Sequence, residues 1–102
     1  MVKEKKYSVI PAAEKAPLLL TWLDEHKARD LASFRLPEGN PLAEVVMLAT
    51  ASSARHARSL ADGLSQYCRE NKFENLRTEG YQEGQWILVD LNDIIISLTH
   101  FK

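Results

Sequence analysis

Glu79-Gly80-Tyr81-Gln82-Glu83-Gly84-Gln85-Trp86-Ile87-Leu88-Val89-Asp90-Leu91-Asn92-Asp93-Ile94-Ile95-Ile96-Ser97-Leu98-Thr99-His100 holds two short apolar runs around a polar break. Trp86 to Val89 and Ile94 to Ile96 are rich in β-branched and aromatic side chains, which suit a pleated, half-buried surface. Asp90-Leu91-Asn92-Asp93 between them has turn composition. Two such runs joined by a few turn residues predict a β-hairpin. Asn92 tolerates positive φ better than other non-glycine residues, so it is the expected left-handed position of a bulged turn.

Working outward, the upstream chain supplies elements for this hairpin to pair with. Residues 1–10 read as a polar, loosely held lead. Pro17 suits the first position of a helix. Leu19, Trp22, Leu23 and His26 then recur at helical spacing, which predicts a first helix over 17–27 with Trp22 as its core anchor. From Asp30 to Leu36 the period changes: Ala32, Phe34 and Leu36 alternate with Ser33 and Arg35, as in a half-exposed strand. Pro37-Glu38-Gly39-Asn40-Pro41 ends it. Glu44 to Thr50 is an almost unbroken apolar run, the expectation being a strand buried on both faces. Ser52 or Ser53 is placed to cap a second helix. That helix steps through Ala54, Ala57, Leu60, Ala61, Leu64 and Cys68 and stops near Asn71-Lys72. A short strand at 75–79 leads back to the hairpin.

The order α-β-β-α-β-β-β predicts an α/β domain, a mixed sheet of about five strands with two main helices, spanning 1–102. A right-handed crossover runs from the second strand through the second helix. Two helices cover about one face of such a sheet, so the other must be solvated or covered by something else.

Composition narrows the class. The chain has 102 residues, 45% apolar and 26% charged, enough for one core. A net charge of −1 and a pI near 6.3 argue against a general affinity for nucleic-acid phosphate. One cysteine, Cys68, excludes an internal disulfide framework and multi-cysteine zinc sites; its place on the helical stripe makes it a small hydrophobe. No apolar run is long enough for a signal or membrane span, and the expected location is the cytoplasm.

The hairpin stretch, with Glu79-Gly80-Tyr81, Gly84, Trp86, Asp90 and Asn92-Asp93 in order, resembles the ribosomal silencing factor (iojap-like) family. Thr50-Ala51-Ser52-Ser53-Ala54-Arg55-His56, followed by Ala61-Asp62, is similar to a second segment of that family. Together the matches span roughly residues 45–100. The resemblance implies a nucleotidyltransferase-like fold and a non-catalytic factor without a cofactor. Such a factor binds a protein of the large ribosomal subunit at the intersubunit face, blocks subunit joining and represses translation. The chain departs from the family at Ala51 and Asn92, where glycine is usual, and at Ser97, where histidine is usual. It also ends at Lys102, before the family's usual C-terminal helix, which predicts uncovered apolar surface near the last strand and a homodimer.

The residues expected to contact the partner are Glu79, Tyr81, Trp86, Asp90 and Asp93, with Arg55 and His56 at the head of the second helix. An aromatic beside carboxylates can anchor a basic protein. Trp86 reads equally as core. Asp90 and Asp93 read equally as local caps of turn N–H groups. Thr50 to Ser53 before a helix can hold an anion, or Ser52 or Ser53 merely caps it. The alternative function is a nucleotidyltransferase-like nucleotide binder. Its Mg²⁺ chemistry needs carboxylates spaced i, i+2 on a strand, and the strands carry none. His26, His56 and His100 lack ligand spacing, so no metal site is expected.

Overall fold

The hairpin forms as its sequence demands. Strands β4 (Trp86–Asp90) and β5 (Ile94–Thr99) pair antiparallel with Trp86 opposite Thr99 and Asp90 opposite Ile95. Asn92 takes φ 78°, and its N–H donates to Asp90 Oδ1 at 2.9 Å, which closes the turn. This computed structural model describes residues 10–100; the expected loose lead falls, apart from Ile10, outside the described residues.

Around the hairpin the strands run in the order β1-β2-β5-β4-β3. β2 (Val45–Thr50) lies parallel to β5, Val45 opposite Ile94 and Thr50 opposite Thr99. This is the sheet's crossover. β1 (Arg29–Arg35) runs antiparallel to β2 at one edge, with an irregularity between Arg29 and Ala32 where Asp30 turns to φ 52°. β3 (Arg77–Glu79) borders β4 at the other edge.

Helix α1 spans Ala12–Glu25, five residues earlier than Pro17 suggested, and Pro17 lies inside it. Proline lacks the N–H that would bond to the Ala13 carbonyl. Ala13 is exposed, so water can take that carbonyl, while Ala12, Lys15 and Ala16 extend the buried stripe of Leu19 and Leu23. Helix α2 spans Ala54–Asn71; the Ser53 hydroxyl accepts the His56 N–H at 3.0 Å, a cap worth about 1 kcal/mol. Both helices end with a lysine in the left-handed region, Lys27 (φ 71°) and Lys72 (φ 61°). In each, the next residue's N–H returns to the last turn, Ala28 to the Leu23 carbonyl and Phe73 to that of Cys68.

Both helices cover the same face of the sheet. Leu19 and Leu23 of α1 and Leu60, Leu64 and Cys68 of α2 share one core with Met47, Ile87, Val89, Ile94, Ile96 and Leu98. Trp22 is half-buried rather than fully enclosed. It stacks on His26 at 3.8 Å and lies over Gly63, where an added Cβ would come within 2.5 Å of its ring.

The expectation that β2 is buried on both faces is corrected. Val45, Met47 and Ala49 lie under the helices, whereas Leu48 on the opposite parity is 40% exposed. Both apolar parities are explained by the opposite face, which no described helix covers and which is itself apolar.

Candidate functional site: the open sheet face

The side of the sheet without helices is set by strand parity. Register puts Phe34 opposite Val46 and Leu48 opposite Ser97; Leu88 lies opposite both Ser97 and Glu79. Phe34, Leu48 and Trp86 are 53%, 40% and 60% exposed, and Leu42 from the β1–β2 loop is exposed beside them. Leu42, Leu48 and Trp86 flank a groove of about 490 Å³ floored by Val46, Leu88 and Ile95, and Phe34 extends the apolar face toward the β1 edge. Grouped apolar exposure of this kind marks interaction surfaces, whereas scattered single residues do not.

Trp86 is therefore a surface residue. Its indole N–H donates to Ser97 Oγ at 2.7 Å. Along the β3–β4 border Arg77 Nε meets Glu79 Oε2 at 3.0 Å and Asp90 Oδ2 at 3.7 Å. Two carboxylates against one guanidinium leave this rim acidic. These exposed contacts add little stability.

Of the seven residues singled out in the sequence, three share this face: Glu79, Trp86 and Asp90. Asp90 also caps the turn. Asp93 lies across the sheet, its two oxygens 2.9 and 2.8 Å from Lys15 Nζ. Lys15 is 1% exposed, in a cluster with Phe73 and Cys68, so the Asp93 carboxylate is committed to a buried cation. Tyr81 packs toward α2, its hydroxyl donating to Asp62 Oδ2 at 2.9 Å, a bond that raises the phenol's pKa. Gly80, at φ 79° with the Trp86 carbonyl where a Cβ would stand, makes the turn that sends Tyr81 that way.

Arg55 and His56 sit in the first turn of α2. Arg55 is exposed. His56 Nδ1 accepts the Ser52 N–H at 2.9 Å, so its Nε2 carries the proton and donates to the His26 carbonyl at 2.9 Å. This residue ties the end of α1 to the head of α2. Ser53, not Ser52, caps the helix.

Sequence reasoning missed Phe34, Leu48, Leu42, Ser97 and Lys15 as parts of this picture. Lys15 had a signal, standing four residues before Leu19 on the apolar stripe. Among the described residues, no group of three or more His, Cys, Asp or Glu is placed to hold a metal, and no helix is long and apolar enough to cross a membrane.

A five-stranded mixed sheet with two helices on one face and an apolar patch on the other defines a two-layer α/β protein. The chain belongs to the family described as ribosomal silencing factor during starvation, whose profile matches residues 9–101. It is 24% identical over 83 residues to the ribosomal silencing factor RsfS of Halalkalibacterium halodurans, covering 81% of this chain and 71% of that one. To RsfS of Haemophilus influenzae it is 29% identical over 80 residues, 78% of each chain. A crystal structure of a Chromobacterium violaceum protein superposes with a TM-score of 0.83 at 23% identity, over 89% of this chain and 76% of that one, and shares the fold.

Proposed function

We propose that this protein binds the large ribosomal subunit through its open sheet face, on a basic ribosomal protein at the side the small subunit must approach, and blocks subunit joining without catalysis. The observation that carries the reading is the uncovered apolar face centred on Trp86, with acidic Glu79 and Asp90 at its rim. Buried aromatic anchors supply most of the energy at protein interfaces, and complementary rim charge steers the encounter. Occupancy alone represses translation, in the cytoplasm where subunits meet. The same face supports self-association at high concentration, because Phe34 stands exposed on the edge strand β1.

The test is sedimentation of the purified chain with isolated large subunits, with small subunits as control. Co-migration with large subunits alone, and a fall in joined ribosomes when small subunits are added, are the expected results. Binding unaffected by Leu48→Asp on the open face would remove this surface from the reading.

A further inference from the structure

We propose that Ser97 is a positioning residue, holding the Trp86 indole in the orientation that it presents to a docking partner; this rests on the docking reading above. Trp86 is 60% exposed, so packing alone leaves its two side-chain torsions weakly restrained. One polar contact restrains them. Its N–H reaches Ser97 Oγ at 2.7 Å, at the short end of the range for N–H···O bonds.

The register explains what this bond does. Trp86 stands opposite Thr99, and Ser97 stands opposite Leu88. The contact is thus a diagonal across the β4–β5 pair, within reach of a long aromatic side chain. It draws the indole along β4 over the apolar floor instead of letting it swing into water. Ser97 is 7% exposed, and its other strand neighbour is Leu48. An apolar side chain on each strand beside it leaves the hydroxyl oxygen aimed at the indole as its acceptor. Lys15 and Ser97 are the buried polar or charged residues among those described, and both are matched to a partner.

Ordering a rotamer-rich side chain at an interface costs enough to weaken binding by about two- to tenfold. The Ser97 bond meets that cost in the free protein.

The test uses the full chain carrying Trp22→Phe, which leaves Trp86 as its one tryptophan, with Ser97→Ala and Ser97→Thr made in that background. Time-resolved fluorescence anisotropy of the free protein reads the indole's local motion; co-sedimentation with isolated large subunits reads affinity. Ser97→Ala is expected to melt within a few degrees of its parent, to show faster local depolarisation, and to bind about two- to tenfold more weakly. Ser97→Thr keeps the hydroxyl and is expected to restore both. If Ser97→Ala tumbles and binds like its parent while the parent binds, the positioning role is overturned and the docking reading stands. If the parent binds no large subunits while the anisotropy difference persists, the docking reading has failed and the clamp remains.

Discussion

Replacing Asp93 with asparagine is expected to cost far more than its place in a surface turn suggests. The substitution keeps the shape and one acceptor oxygen but removes the charge facing Lys15. Lys15 Nζ lies 2.8 and 2.9 Å from the two carboxylate oxygens and is 1% exposed, so no water replaces the lost partner. Breaking a buried ion pair from one side costs about 3–5 kcal/mol. The Asp93 side chain is 21% exposed, which places the loss near the lower end, about 3 kcal/mol. For a domain of this size that corresponds to a fall in melting temperature of roughly 12–16 °C. Thermal and urea unfolding followed by circular dichroism measure it. Asp90→Asn, whose carboxylate faces the open side, serves as the control and is expected to cost under about 1 kcal/mol. The double variant Lys15→Met, Asp93→Asn removes both charges and is expected to recover most of the loss, because an apolar replacement of a buried pair is often neutral. A cost below about 1 kcal/mol for Asp93→Asn, or a double variant no more stable than the single one, would refute the reasoning.

Trp86→Ala is expected to cost under about 1.5 kcal/mol of stability, well below a buried tryptophan's ~3–5 kcal/mol, yet to weaken large-subunit binding at least about thirtyfold in co-sedimentation. Gly80→Ala meets both a left-handed φ and the Trp86 carbonyl, so unfolding measurements should show a loss above about 2 kcal/mol. Burial pushes the Cys68 thiol up from 9.0 to about 11. Between those values the unfolded chain holds fewer protons than the folded one, so stability falls as pH rises. From pH 8 to about pH 10.5, under reducing conditions, the natural chain should lose about 2 kcal/mol more than Cys68→Ala. Rising salt should weaken the proposed complex with large subunits, because the rim charges of Glu79 and Asp90 are screened.

Local chemistry was legible in the sequence. The hairpin, the left-handed Asn92, the buried stripe of α2 and its serine cap each depend on residues a few positions apart, so spacing alone reveals them. Pro17 misled because a proline marks a helix start only when the residues before it do not already continue the apolar stripe, and Ala12 and Ala16 do. Which parity of β2 meets the helices was not legible, because Val46 and Leu48 are as apolar as Val45 and Met47; only the helices' placement separates core from open face. The same holds for Trp86, which an apolar run makes look like core until the sheet shows that no described element covers it. Asp90 and Asp93 looked equivalent three residues apart. A turn between them sends one to the open rim and the other to Lys15, 78 residues away in the chain. Spacing carries no record of that partner, since a buried cation is brought to its carboxylate by helix packing across the sheet.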